Sequence, residues 1–377
     1  MFLRSEDLDS LEFSINETTY STLLNEKRKS GFKDKSWDEW FKHLFGIKHK
    51  SQQEKIENAA NKFFYAKNFD QWVKNFAINL NDIWKDDSAK ILEPNQNDTQ
   101  NENSAIVLGA GPAIKKFKHL EILSKSQYSG SIICTDRILA AALKAGVTPD
   151  KFPKFYVATI DTFDDTWTVY DDDIIQEYGN KINGIFSTLT HPEAVTLAKQ
   201  KKIKIHWVHP LFDYSEGQKS FNNISALMTR SKNQSKGLPA IQTGGNVGTS
   251  CWFIGWQILK CSTICLIGIN HGWEEEDPIE LILTHGNSQY KWQQHKVPTI
   301  DTKSILFKKL FPKIYNPEFK TYCILDPVFR YYGNALKEFI SRSPKWLNTV
   351  NSTESGSIFG ERITCSKFTE FLSKYQY

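Results

Sequence analysis

No uninterrupted apolar stretch in these 377 residues is long enough to cross a bilayer, which takes about 20. Paired cysteines are missing as well. The six, at 134, 251, 261, 265, 323 and 365, contain no Cys-x-x-Cys pair, and Cys261 and Cys265 lie in or beside an apolar run. This argues against a disulfide frame or zinc site and predicts buried free thiols. Charge of one sign is lacking too: 47 basic side chains face 43 acidic ones, a net +4. Such a balance demands no nucleic-acid partner and suits nucleotides or other small molecules. With no signal peptide in view, the expected location is the cytoplasm.

What is present is enough apolar material for one large core and a smaller one, 40% of residues, with 11 Trp among abundant aromatics. Residues 1–90 read as a helical N-terminal region. Ser36-Trp37-Asp38-Glu39 offers an N-cap and an acidic first turn, after which Trp37, Trp40, Phe41, Leu44 and Phe45 share a helical face. A second stripe carries Phe63, Phe64, Phe69, Trp72, Val73, Phe76, Leu80 and Trp84, and reads as a packing surface. Residues 91–103 form a polar linker with almost nothing to bury.

From residue 104 the pattern changes. Short apolar runs at 105–108, 131–134, 155–160, 185–189, 203–208 and 263–267 alternate with helix-like segments near 114–125, 137–146, 191–201 and 248–260. Alternation of this kind predicts right-handed βαβ units: an α/β, Rossmann-like, largely parallel sheet over 104–273. The remainder, 274–377, is mixed and mostly helical, and is expected to pack on that core.

Ligands of open α/β sheets sit outside the carboxyl ends of the strands, which turns the loops there into candidates. The first predicted strand ends in Gly109-Ala110-Gly111-Pro112, a turn that lets backbone approach a phosphate. Ile114 stands where the dinucleotide fingerprint has its third glycine, so a mononucleotide fits better. Asp136, after the second strand, suits a ribose hydroxyl or a helix cap, and Arg137 a phosphate. Asp161 ends the third strand beside Asp164 and Asp165, and carboxylates there suit Mg²⁺. His191 precedes Pro192 at a helix start, a structural cap or a site residue. His209 ends the fifth strand and reads as a structural hydrogen-bonder. A second glycine-rich turn, Thr243-Gly244-Gly245-Asn246-Val247-Gly248-Thr249, opens another helix, and the following strand leads to Asn270-His271, where His271 is a candidate acid–base or phosphate contact.

The ordered set Gly109-x-Gly111-Pro112, Thr135-Asp136-Arg137, Gly146-Val147-Thr148-Pro149-Asp150 with Asp161, Gly244-Gly245-Asn246-Val247-Gly248-Thr249 and Ile267-Gly268 resembles the MptE-like family over about residues 104–273. That resemblance implies one of two chemistries. One branch comprises 6-hydroxymethylpterin diphosphokinases, in which Asp161 binds Mg²⁺ and ATP is the donor. The other comprises motility-associated-factor glycosyltransferases, with a CMP-linked nonulosonic acid as donor and a protein or glycan as acceptor. Asn351-Ser352-Thr353-Glu354-Ser355-Gly356 resembles a segment of the second branch, and a His-x-His-Gly-Asp signature of the first is missing. Glycosyl transfer therefore ranks first, diphosphoryl transfer second and a non-catalytic nucleotide-binding scaffold third. In the first reading Gly109, Gly111 and the 244–249 turn hold the nucleotide phosphate, Asp136 lies near the ribose, and His271 or His191 assists the leaving phosphate or a proton transfer. The N-terminal helices then offer an acceptor surface.

Overall fold

The computed structural model describes residues 17–34, 36–44, 52–94, 103–162, 166–211, 221–230, 237–290, 303 and 305–375. Asp164, Asp165, Phe45 and linker residues 95–102 lie outside the described residues, as do the side chains of Phe41, Phe63 and Phe64. The chain divides into two compact units, Met1–Ala59 and Ala60–Tyr377.

In the smaller unit, α1 (Glu17–Lys29) is followed by α2 (Trp37–Leu44). Ser36 and Glu39 close the expected capping box: the Glu39 N–H donates to Ser36 Oγ at 3.0 Å and the Ser36 N–H to Glu39 Oε2 at 2.9 Å. Trp40 is buried and donates its indole N–H to Ser30 Oγ at 2.7 Å, which seats the stripe. The helix α3 (Gln52–Lys85) follows.

Ten strands of the larger unit form one sheet, parallel at every pairing. They are β1 (Asp87–Ser88), β2 (Ser104–Leu108), β3 (Ser131–Thr135), β4 (Phe155–Thr159), β5 (Asn183–Ser187), β6 (Lys204–Leu211), β7 (Ala240–Gln242), β8 (Thr263–Ile267), then β11 (Asn348–Asn351) and β12 (Ile363–Cys365). Between the last two groups β9 (Lys313–Asn316) and β10 (Thr321–Ile324) form a separate antiparallel pair. The order across the sheet is β1-β6-β5-β4-β3-β2-β8-β11-β12, with β7 also paired to β6. Thus the chain steps outward from β2 to β6, then returns to lay β8 on the other side of β2. The architecture is α/β and Rossmann-like, and the C-terminal region contributes two strands as well as helices.

Strand residues alternate between two cores, as a period of two requires. One face presents Ile106, Leu108, Ile132, Cys134, Phe155 and Val157 to α5 (His119–Lys125), α6 (Leu139–Lys144), α7 (Asp173–Tyr178), α8 (Pro192–Gln200), the end of α3 and α14 (Phe368–Lys374). The other presents Ala105, Val107, Ile133, Ala158, Ile264 and Leu266 to α10 (Val247–Phe253) and α13 (Pro327–Arg342). The remaining helices are α4 (Ala113–Lys116), α9 (Phe221–Met228), α11 (Ile279–Tyr290) and α12 (Ile305–Leu310). All six cysteines are free and five are buried, where desolvation pushes the Cys134 and Cys265 thiols up. No helix among the described residues is long and apolar enough to cross a membrane.

The Trp72–Trp84 stripe carries more than packing. Asn75 and Asn79, one helical turn apart, are buried and donate their amides into the loops after β4 and β5. Asn75 Nδ2 reaches the Thr162 and Leu189 carbonyls at 3.1 and 3.0 Å; Asn79 Nδ2 reaches the Thr190 carbonyl at 2.7 Å. Trp72 adds its indole N–H to Thr162 Oγ1 at 3.1 Å. Loop carbonyls that would be orphaned in the interior thereby gain donors, and the carboxyl edge is held in register.

Candidate active site at the carboxyl edge

The strand order reverses between β2 and β8, which makes the carboxyl edge between these two strands the switch point of the sheet. Both glycine turns and the His271 loop converge on this switch point. The Gly109 and Gly111 N–H groups donate to the Ile267 and Gly268 carbonyls, each at 2.9 Å, so the two strand exits lie against one another. A Cβ on Gly109 would stand 2.3 Å from the Gly268 carbonyl oxygen, and one on Gly111 would stand 2.2 Å from Asn270 Oδ1. Only glycine fits. Pro112 precedes the four-residue α4, too short for a sizeable dipole, so this turn offers closeness of backbone rather than helix charge.

Ile269 joins the two glycine turns. Its Cδ1 lies 2.4 Å from the Cβ that Gly109 lacks and 2.7 Å from the one that Gly248 lacks. Asn246 caps α10, accepting the Thr249 N–H at 2.9 Å and donating to Thr249 Oγ1 at 3.0 Å. Gly244 and Gly245, at φ +55° and +82°, turn the chain against α13, with Phe339 beside the first and Tyr331 and Tyr332 beside the second. Left-handed backbone of this kind is where glycine costs least.

Along the edge from the switch point stand Asp136, Asp161 and His191, on adjacent strand ends. Asp136 is buried, and desolvation, then the charge of Asp161, pushes its carboxyl up to about 7. The Arg137 N–H opposes this by donating to Asp136 Oδ1 at 2.8 Å, as does a hydrogen bond from Thr159. The Arg137 side chain is exposed. His191 donates its backbone N–H to the Asp161 carbonyl at 3.3 Å, while its Nδ1 accepts the Glu193 N–H at 3.4 Å as the cap of α8. His209 is a structural hydrogen-bonder, placed 3.2 Å from Thr188 Oγ1 and 3.1 Å from Ser225 Oγ.

On the far side of the switch point, around the predicted His271, lie Asn270 and Glu274, which sequence reasoning did not assign. Asn270 donates to Ser355 Oγ at 2.7 Å, but its buried Oδ1 has no partner, nor does the buried Nδ1 of His271. Unsatisfied buried polar atoms are uncommon and mark where a ligand or water completes the set. Glu274 receives Asn270 Nδ2 at 3.3 Å and Lys116 Nζ at 2.9 Å. The 351–356 segment that resembled a glycosyltransferase motif, together with Ser357 after it, braces this loop. Thr353 Oγ1 accepts the Ile269 N–H at 3.4 Å, Ser357 N–H donates to the Asn270 carbonyl at 2.9 Å, and Ser357 Oγ to the His271 carbonyl at 2.7 Å. A Cβ on Gly356 would lie 2.2 Å from the Asn270 carbonyl oxygen. Two surface clefts of about 320 and 380 Å³ open elsewhere, at the amino ends of β11 and β12 and of β6.

His271 is held at φ +39°, and burial, then Lys337, brings its imidazole down to about 3. It is therefore uncharged at neutral pH, able to exchange a hydrogen bond but not to bring positive charge to a phosphate. The unfolded chain binds a proton here below about 6.5 and the folded one does not, so stability is lost as pH falls from about 6.5 toward 3. His271→Asn keeps a residue that tolerates left-handed backbone. It is expected to recover about 2–3 kcal/mol of the stability lost between pH 7 and 4.5, read from urea unfolding. Equal losses in the two proteins would refute the burial argument.

Fold and strand order together define a Rossmann-like α/β protein whose switch point lies between β2 and β8. A family model described as "6-hydroxymethylpterin diphosphokinase MptE-like" matches residues 74–276, more than half of the chain, and the chain belongs to the MptE-like family. Among solved structures it is similar to the MAf glycosyltransferase from Magnetospirillum magneticum AMB-1, at 13% identity and a TM-score of 0.47. That similarity covers 93% of this chain and 42% of the other, so the chain spans less than half the length of that protein. No curated protein matches the sequence.

Proposed function

We propose that this protein is a nucleotide-dependent transferase, moving a sugar of the nonulosonic-acid kind from its CMP-linked donor to a protein or glycan hydroxyl. The observation that carries the reading is the switch point between β2 and β8. Positions 109 and 111 admit no side chain there, and Asn270 Oδ1 and His271 Nδ1 are buried without partners. Backbone held close at a strand exit, beside unsatisfied polar atoms, suits a phosphate and sugar. The resemblance of Asn351–Gly356, which braces that loop, to a segment of the glycosyltransferase branch favours that branch over its sibling. In this reading Gly109, Gly111 and the 244–249 turn cradle the nucleotide phosphate, with Arg137 as the exposed cation and Asp136 toward the ribose. His271 gives the leaving phosphate a hydrogen bond from a neutral ring, in a fixed orientation that needs no reorganisation during the reaction.

One observation favours a second reading. The charge of Asp161 raises the cost of ionising Asp136, which a divalent cation would relieve, and Mg²⁺ takes one or two carboxylates plus phosphate oxygens. With Asp161 and Asp136 holding the ion, it would neutralise triphosphate charge, and the protein would transfer diphosphate from ATP to a hydroxymethylpterin-like alcohol. Among the described residues no cluster of three or more His, Cys, Asp or Glu side chains is placed to bind a metal by itself.

Thermal melting separates these readings. CMP without metal is expected to stabilise the protein by about 2.7 kcal/mol at 100 times its Kd. A strictly Mg²⁺-dependent effect of ATP would replace this reading by the second, and indifference to CMP, CDP and ATP alike would leave a non-catalytic scaffold.

A further inference from the structure

Both surface clefts open on the amino edge of the sheet, opposite the switch point. The one at β11 and β12, of about 320 Å³, is lined by Lys345, Trp346, Asn348, Arg362 and Thr364 among others, and by no acidic side chain. The one at β6, of about 380 Å³, sets Lys85, Lys199, Lys202 and Lys204 against Asp86 and Asp87. There Lys199 pairs with Asp82 and Asp86, at 3.1 and 2.7 Å, and Lys204 with Asp87 at 3.1 Å. Among the described residues no carboxylate pairs with Lys85 or Lys202.

The same holds at other strand entries. Lys154 directly precedes β4, Lys345 stands just before β11, and Arg362 directly precedes β12; none has a carboxylate partner among the described residues. Arg362 donates to the Ser341, Ser343 and Pro344 carbonyls at 3.1, 2.5 and 2.7 Å, neutral partners that leave the guanidinium charge in place. From β6 to β12 these cations span about 34 Å at the usual strand spacing. The C-terminal ends of α3, α8 and α13 lie on this edge, and their partial negative charge favours Lys85, Lys202 and Arg362. It does not account for Lys154, well past the end of α6 at Lys144, nor for Trp346. The Trp346 indole is 58% exposed, its ring edge-on to Trp256 at 6.4 Å. An exposed indole set among lysine and arginine is the chemistry of a membrane interface, where one end of the ring is wet and the other apolar. A protein partner fits less well, because lysine is depleted at such interfaces. A single indole also gives a nucleic acid no series of stacking platforms.

We infer that the amino edge is a docking face for an anionic lipid bilayer, with Trp346 entering the headgroup layer and Lys85, Lys154, Lys202, Lys345 and Arg362 facing lipid phosphates. The inference does not depend on which transfer the switch point performs. Docked in this way, the strands stand end-on to the bilayer, and the carboxyl edge with both glycine turns and His271 faces away from it. Contact of this kind is reversible, because each cation adds only about fivefold to the affinity and no segment crosses the membrane.

The test is cosedimentation of the full chain with vesicles of phosphatidylcholine, with and without phosphatidylglycerol, at low and high salt. Partition onto the anionic vesicles is expected, weakened by salt, with little onto the neutral ones. Replacing Lys154→Gln and Lys345→Gln together should lower it by about fivefold per cation. Trp346→Ala should lower it by about tenfold. These side chains are exposed, so urea unfolding should be nearly unchanged. The control pair Lys115→Gln and Lys118→Gln removes the same charge beside the carboxyl edge and should change partition by less than about twofold. An equal loss in the two pairs would mean that net charge, not this edge, makes the contact, and would overturn the inference. So would equal partition onto neutral vesicles, no partition onto anionic ones at low salt, or no effect of Trp346→Ala. Single-stranded RNA bound through Lys154 and Lys345 while vesicles are ignored would replace the bilayer by a nucleic acid.

Discussion

Gly109→Ala is expected to cost about 3 kcal/mol or more and to abolish stabilisation by nucleotide. The added methyl would meet the Gly268 carbonyl oxygen at 2.3 Å, the Gly268 carbonyl carbon at 2.8 Å and Ile269 Cδ1 at 2.4 Å. Ile269 can change rotamer, but the carbonyl cannot retreat, because Gly109 N–H is bound to Ile267 O and Leu108 is in register with Ile267. Overpacking against fixed backbone ordinarily costs 1–3 kcal/mol or somewhat more, and the strand exits must part to relieve it. Parting them also opens the Asn270–His271 loop, so binding fails with stability. Gly237→Ala is the control. It sits at φ +63° with nothing within 4 Å of the new methyl, so only left-handed strain of about 1–2 kcal/mol applies. Urea unfolding and a CMP melting shift distinguish the two substitutions. If Gly109→Ala behaved like Gly237→Ala and still bound CMP, crowding at the switch point would not be what keeps glycine there.

Much of the sheet was legible because its central strands are buried on both faces and read as continuous apolar runs bounded by turns. The runs at 105–108, 131–134 and 263–267 match β2, β3 and β8 to within one residue at each end. Strands held by neighbours rather than by their own pattern were missed. Asp87–Ser88 is two polar residues, and Asn348–Asn351 carries one large apolar side chain between polar ones; each pairs because a strand edge is available. The glycine turns and Asp136 were found through a rule about strand ends, but the switch point needs the strand order, which no local pattern contains. Nothing local marks Asn75 and Asn79 within the apolar stripe, since their partners are carbonyls 87, 114 and 111 positions away. The Asn351–Gly356 segment was noticed as a resemblance, yet its physical task, bracing the Asn270–His271 loop from β11, follows only from the fold.

Asp136→Asn is expected to stabilise the protein at pH 8 and to change it little at pH 4. The carboxyl titrates near 3.8 in the unfolded chain and near 7 in the folded one, because burial and Asp161 disfavour its charge. Between these values the folded state holds a proton that the unfolded state has released. Stability contributed by this group therefore falls as pH rises from about 4 to 7, and the loss is complete above about 7. At about 1.4 kcal/mol per pKa unit, the penalty at pH 8 is on the order of 2–4 kcal/mol. Asparagine retains an oxygen for the Arg137 N–H and an amide hydrogen for Thr159, while removing both the buried charge and its repulsion of Asp161. Comparing urea unfolding of the two proteins at pH 4 and pH 8 reads the loss of this carboxyl and of its repulsion with Asp161 together. A variant equally stabilised at both pH values, or destabilised at pH 8, would mean that the fold welcomes the Asp136 charge. The expected gain in stability should come with at least a tenfold weaker grip on nucleotide. A buried carboxyl kept at the expense of stability, beside a second carboxyl, is expected of a binding position rather than of a packing position.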